Sequence, residues 1–437
     1  MLDVIETSPE VVRQRRFHPA WWVAAVAFVA LLGAAAFRSV PGVLMNPLHH
    51  EFGWPHSTIS LAVSLNLLLY GLTAPFAAAL MARFGIRVVT VCALLLVAAG
   101  SGLTVFMTAS WQLVLCWGLL VGLGTGSMAL AFVSTVVDRW FVARRGLVSG
   151  VLTAASATGQ LVFLPLVAHL AGAYGWRSAS LLVTAAALAI VPLVWLLLRD
   201  RPADVGVLAY GASEPLPEPR TGNAAAAALT ALRDAARTPA FWLLAAAFAI
   251  CGASTNGLVN THFVPAAHDH GMPQTTAAGL LAVIGVFDVA GTVLSGWLTD
   301  RFNPRILLAV YYTLRGASLF VLPQLFAPTP GAQMVLFVVF YGLDWIATVP
   351  PTMALCREHF GERASVVFGW VFASHQIGAA AIASIAGVVR DQFGDYAAAW
   401  YGAGLLCLLA TAFSLSVRKA RPAPPSEPDR ERAATGR

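Results

Sequence analysis

Four ionisable residues stand inside long apolar runs, Arg38, Asp288, Arg315 and Asp344, and His262 and His375 lie near or within two more. Placing a charged side chain among hydrocarbon costs about 2.5–3.5 kcal/mol on insertion scales, so such residues are expected to face a cavity or one another. Arg38, in FRSVPG, has the chemistry of an anion clamp, because a planar guanidinium grips a carboxylate through two parallel hydrogen bonds. The bland alternative is an arginine that snorkels outward or pairs with a neighbouring acid. Asp288, in GVFDVAGTVLSG, is either half of a buried ion pair or an acid that loads and releases a proton as its cationic partner changes. Arg315 reads as the cation of a structural ion pair, with Asp344 or Asp288 as its natural anion. Asp344 is also the second candidate to carry a proton. It stands in DWIATVPP, where Pro350 and Pro351 break or kink a helix, and irregular backbone is tolerated where it lines a cavity.

Neutral groups surround this set. Asn66, Tyr70, Asn256 and His375 join Arg38 as candidate substrate-binding residues, and Asn260 and Gln376 offer similar hydrogen bonds. For each taken singly, a bond from helix to helix is the plainer role. His268, Asp269 and His270 read as a solvated loop and not as metal ligands. The glycines of GLLVGLGTG (118–126) lack a preceding strand and a following P-loop lysine, so they read as helix packing and not as a nucleotide site. No serine–histidine–acid, HExxH or paired-cysteine constellation is present, so the sequence gives no support to an enzyme, a cofactor or a metal. The five cysteines, Cys92, Cys116, Cys251, Cys356 and Cys407, sit in apolar runs at no ligand spacing and read as small buried hydrophobes.

The elements that must position these residues follow from composition. Of 437 residues 58% are hydrophobic and 11% charged, against about 25% charged in soluble domains. Apolar runs of about 20 residues, enough to cross a bilayer, recur at 20–45, 57–82, 88–108, 112–137, 146–171 and 178–198. A second set lies at 240–264, 275–298, 305–325, 332–355, 365–389 and 397–417. The chain therefore reads as an all-α membrane protein of two six-helix halves, 20–198 and 239–417. Tails at 1–19 and 418–437 and a hydrophilic linker at 199–238 complete it, the linker ending in a short amphipathic helix through Ala224–Arg237. Arg13, Arg15 and Arg16 ahead of an apolar stretch resemble a secretory signal, but the stretch is long and has a counterpart later, so it reads as a retained first span. Arginines at 83, 87, 139, 144, 145, 301, 305, 357 and 363 fall on one side of the membrane. The positive-inside rule makes that side, and both termini, cytoplasmic. A net charge of +6 is explained by this placement, with no nucleic acid as partner.

The two halves repeat one another. EFGWPHST (51–58) is answered by DHGMPQTT (269–276), with Pro47/Pro265 and His50/His268 in the same register. HPAWWVAAVAF (18–28) is answered by TPAFWLLAAAF (238–248), and FVARRGLVSG (141–150) by FGERASVVFG (360–369), after which Gly159 falls on Gly378. Gly53 and Gly271 are expected to supply a turn, and Ser57 and Thr275 to cap the helix that follows. Two halves related by an axis along the membrane normal are a transporter architecture.

With these motifs the sequence resembles the major facilitator superfamily over essentially its whole length. GWLTDRFNPR (296–305) is similar to that family's G-x-x-x-D-R-x-G-R-R loop, with Asn303 and Pro304 departing from it. ALMARFGIR (79–87) is the first-half copy, with Ala82 where the family has an acid. The resemblance implies a cytoplasmic gate drawn from Arg83, Arg87, Asp300, Arg301, Arg305 and Arg363. RRGLVSGVLTAASATG (144–159) is similar to the segment leading into span 5 of the monocarboxylate transporter and oxalate/formate antiporter group. Within that group Arg38 stands at a substrate-engaging lysine and Asp288 at an aspartate tied to proton coupling, while Thr292 replaces an arginine one turn on. The resemblance thus implies a secondary transporter of a small organic anion, proton-coupled and working by alternating access. The alternatives are a proton-driven exporter of amphipathic or cationic compounds and a non-transporting membrane receptor. A monomer in a bacterial inner membrane is expected, Lys419 being the one lysine of a composition typical of GC-rich genomes.

Overall fold

The computed structural model describes residues 18–215 and 224–418, apart from the side chains of 36–39, 78, 130, 131, 156, 157, 160, 224 and 362. Most of both tails and residues 216–223 of the linker therefore lie outside the described residues, as does the side chain of Arg38. Twelve helical rods run through the rest. The first six are α1 (Pro19–Phe52), α2 (His56–Phe84), α3 (Ile86–Thr104), α4 (Ser110–Trp140), α5 (Arg145–Tyr174) and α6 (Trp176–Leu197). The second six are α7 (Pro239–Asp269), α8 (Gln274–Thr299), α9 (Pro304–Val321), α10 (Ala332–Phe360), α11 (Ala364–Phe393) and α12 (Ala397–Ser416). Eleven are long and apolar enough to cross a membrane, and in α5 the described apolar stretch is Leu161–Tyr174. The linker folds back at its start, where Tyr210 N–H donates to Trp140 O at 2.8 Å and the Tyr210 ring packs on Trp21 and Phe141. Its helix Ala224–Ala235 lies at the same end and accepts from Trp370 Nε1 through Ala228 O at 2.9 Å.

Glycine ends α1 as the sequence suggests. Gly53 takes a left-handed φ of 67° and its N–H closes on His49 O; Gly271 likewise has a φ of 83°. The expected serine and threonine caps do not form. α2 and α8 begin one residue before Ser57 and Thr275, with Pro55 and Pro273 as N-caps, and neither makes a side-chain cap bond. Ser57 thus lies in the first turn, where its own N–H is one of the orphan donors. A carboxylate from the other half of the chain takes it: Asp391 accepts from His56 N–H at 3.0 Å and Ser57 N–H at 2.8 Å.

Two rods are broken in equivalent places. α4 turns at Met128–Ala129, and α10 unwinds over Trp345–Thr348 before restarting at Val349 with Pro350 and Pro351 in its new first turn. Proline is tolerated there because first-turn N–H groups have no intrahelical acceptor. α4 and α7 also each carry a wide π-turn, at Val114–Val121 and Ala253–Val259.

The halves meet along α2–α11 and α5–α8. α2 and α11 run antiparallel, so as α2 descends from His56 to Phe76 its α11 partners fall from Asp391 to Trp370. Close approach is set by small residues, as membrane helix pairs require. A Cβ on Gly387 would sit 2.6 Å from Ser60 Oγ, and one on Gly71 would sit 2.5 Å from Gln376 Cβ. Between them Ser64 Oγ donates to Ala380 O at 2.7 Å. Inside the second half α8 and α10 touch still more tightly, since a Cβ on Gly291 would lie 1.9 Å from Leu343 O. Gly291→Ala must push α8 and α10 apart. It is expected to destabilise the protein by about 1–3 kcal/mol, the usual range for overpacking. A thermal unfolding curve in detergent superimposable on that of the unaltered protein would show that the contact is slack.

Candidate functional site

The break in α10 frees backbone groups that must find partners inside an apolar bundle. Side chains of α8 and α9 supply them. Asp288, buried on α8, accepts through Oδ1 from Ile346 N–H at 3.0 Å and from Thr292 Oγ at 3.3 Å. Ser295, two turns further on, donates to Ala347 O at 2.5 Å. Arg315 of α9 donates through Nη2 to Asp344 O at 2.6 Å and Trp345 O at 3.2 Å. Gly291 makes this possible, because it lets α8 lie against the α10 backbone.

Arg315 is fully buried, and its Nε meets Asp344 Oδ2 at 2.5 Å. Its Nη1 reaches across to α7, donating to Cys251 Sγ at 3.0 Å and Ser254 Oγ at 3.5 Å. The rings of Tyr312 and Tyr341 lie 5.8 and 6.0 Å from the guanidinium. Tyr341 also donates to Ser254 O at 2.9 Å, a carbonyl of the α7 π-turn. One cation thus joins α7, α9 and α10. Of the two acids that sequence reasoning offered Arg315, Asp344 is the one in contact. Asp288 makes no ion pair among the described residues. Cys251 is therefore an acceptor for a cation and not the inert hydrophobe its run suggested, and Cys92, read as buried, is exposed on α3.

A second cluster lies where the halves meet. Asn256 Nδ2 is 3.4 Å from His375 Nε2, and the His375 ring lies between Phe248 (4.8 Å) and Phe372 (5.8 Å, stacked). Tyr70 of the first half faces Phe372 edge-on at 6.1 Å. His375 and Asn256 are thus brought together, and Tyr70 is linked to them through the Phe372 ring. Asn66 turns away, donating to Trp117 O at 2.8 Å in the π-turn of α4. Gln376 is fully buried, with neither amide atom partnered among the described residues. His262 lies apart and meets Ala383 O at 2.9 Å. Arg38 stands one turn before Gly42, which lies against the Asn260 and Thr261 carbonyls of α7. The offset that carries Gly53 onto Gly271 also carries Arg38 onto Asn256 and Tyr70 onto Asp288.

The arginines at the linker end engage their own half or the linker. Arg83 lies over Phe84, Arg87 over Trp195 and Arg301 over Trp297. Arg87 N–H donates to Asp200 at 2.9 Å, and Arg305 Nη1 donates to Val417 O at 2.9 Å. Arg363 pairs with Asp234 of the linker helix at 2.6 Å. Asp300 is exposed and forms no ion pair among the described residues.

Sequence reasoning missed Ser295 and Asp391. Ser295 carried a signal, since it lies seven residues after Asp288 and so on the same helix face. Asp391 sits at a helix end and drew no notice. The Arg315–Asp344 pair carries a stability test. Removing one partner of a buried pair strands the other charge and costs about 3–5 kcal/mol. Arg315→Met alone is expected to cut the yield of folded protein sharply, and Arg315→Met with Asp344→Leu to recover only part of it, because the Asp344 and Trp345 carbonyls still lack their donor. Equal melting temperatures for the single variant and the unaltered protein would mean the pair contributes nothing.

Comparison with known proteins agrees with this architecture. The Major Facilitator Superfamily profile matches residues 26–383. Bovine monocarboxylate transporter 13 is 29% identical over 410 residues, 91% of this chain and 89% of that protein. Rat monocarboxylate transporter 13 is 30% identical over 371 residues, covering 82% and 79%. Among solved structures, a D-xylose–proton symporter superposes with a TM-score of 0.72 at 15% identity, covering 92% of this chain and 98% of the other. A repeated six-helix half, helix contacts that join the halves in pairs and this full-length match lead to one assignment: the chain belongs to the major facilitator superfamily of membrane transporters, with relatives among the monocarboxylate transporters.

Proposed function

We propose that the protein carries a small organic anion of monocarboxylate type together with a proton, by exposing a site between its halves to each side in turn. The observation that carries this reading is the setting of Asp288. A buried carboxylate there meets only neutral donors, Ile346 N–H and Thr292. An acid so placed can be neutral or charged without stranding a cation, which is what a proton carrier requires. Asp344 is the lesser candidate, because Arg315 already neutralises it. Arg38 is the anion clamp, and Asn256, His375 and Tyr70 are the neutral groups that orient the rest of the substrate. Asn66 serves the π-turn of α4 first. Arginine placement makes the linker end cytoplasmic, with both termini inside a bacterial inner membrane and the chain a monomer. Asp300, Arg301, Arg305, Arg83, Arg87 and Arg363 would then meet across the cytoplasmic gate in the alternate conformation.

Uptake into proteoliposomes under an imposed pH gradient tests this. A labelled panel of mono- and dicarboxylates is expected to include a monocarboxylate that accumulates against its gradient. Arg38→Gln should weaken its binding about 10- to 100-fold, the worth of a hydrogen bond to a charged group. Asp288→Asn should keep exchange of labelled for unlabelled substrate but lose the response to the pH gradient. If well-folded protein moves no acid on the panel, the anion reading fails, and export of amphipathic cations, which Thr292 in place of an arginine would suit, becomes the one to pursue.

A further inference from the structure

α2 starts without a cap of its own. Pro55 has the extended backbone of an N-cap, φ −63° and ψ 152°, but no side-chain oxygen. The orphan N–H groups of His56 and Ser57 are taken by the two oxygens of Asp391, at 3.0 and 2.8 Å, from α11 in the other half. A carboxylate at a helix N-terminus also meets the positive end of the helix dipole. The His56 ring adds a third contact, its Nδ1 3.4 Å from Asp391 Oδ1, while its Nε2 lies 3.4 Å from Asn46 of α1. Around this point the halves are shut. Gly387 of α11 lies on Ser60, Tyr396 donates to Met45 Sδ at 3.8 Å, and Gly42 of α1 lies on the carbonyls of Asn260 and Thr261. At the linker end, by contrast, no ion pair joins the halves among the described residues.

The repeat contains no second copy of this arrangement. The offset that carries Gly159 onto Gly378 carries Gly172 onto Asp391, so α5 has no acid to offer α8. We infer that Asp391 is the positioning residue that holds this end of the protein closed, capping α2 only while the halves are together there. Opening this end costs α2 its cap, and closing it restores the bonds. The inference rests on the alternating-access reading proposed above.

The test follows water access to the α2–α11 seam. In a Cys92→Ser background, Ser64→Cys reports the latched end and Phe76→Cys the linker end, each by its rate of labelling with a water-soluble maleimide in detergent. Asp391→Ala is expected to speed labelling at position 64 and slow it at position 76, each about five- to tenfold, the worth of a typical cap. A variant that merely loosens the fold would speed both, and that result would overturn the inference, as would no change at either site. Pro55→Ser added to Asp391→Ala separates cap from latch. It supplies α2 with a local cap, so thermal stability should return while the labelling shift remains. Return of both would make Asp391 a structural cap and nothing more. Should the Ser64→Cys and Phe76→Cys reporters with Asp391 intact each label at the same rate with and without a saturating transported acid, the alternating-access reading itself would fall, independently of Asp391.

Discussion

Broken helices inside an apolar bundle must have every freed N–H and C=O satisfied by protein, because no solvent competes for them there. That constraint organises the second half of this chain. The unwound turn at Trp345–Thr348 sets free donors and acceptors, and the side chains of Asp288, Ser295 and Arg315 are the groups that meet them. Arg315 in turn needs an anion, which is Asp344 at the edge of the break, and a polar lining, which is Cys251 and Ser254 of α7. Gly291 and Gly342 lack side chains because any Cβ would hold α8 and α10 too far apart for these bonds to close. Cys251, Ser254, Asp288, Ser295, Arg315 and Asp344 are thus one network with one cause.

The first half handles its own irregularities with lighter means. Asn66 serves the π-turn of α4, and Thr125 bonds back to Val121 O. No buried ion pair forms there among the described residues. The repeat has therefore kept helix placement while its chemistry has drifted apart: asparagine stands opposite arginine at 256 and 38, and aspartate opposite tyrosine at 288 and 70.

Much of this was legible in the chain. Hydropathy set the rods, and matched glycine, proline and arginine positions set the repeat, because those residues act locally through φ, a missing N–H or a fixed charge. Candidate acids and the arginine of the second half were legible for the same reason, charge in an apolar run being rare. Which partner each would take was not. Arg315 had two acids within reach by spacing, and only the packing of α9 against α10 chooses Asp344. Ser57 looked like a cap because serine usually is one, but the helix starts a residue earlier and its donors are met from Asp391, more than three hundred residues away. Bonds of that span leave no local trace.

The broken rod of α10 also has a mechanical meaning. An intact helix is stiff along its length, so a push at one end arrives at the other. Here the segments Ala332–Asp344 and Val349–Phe360 are joined by four residues with little stiffness of their own. What sets the angle between them is a hinge pin made of side chains from α8 and α9. The angle of the distal segment is thus held from the bundle interior, through bonds from Asp288, Ser295 and Arg315 to the broken turn.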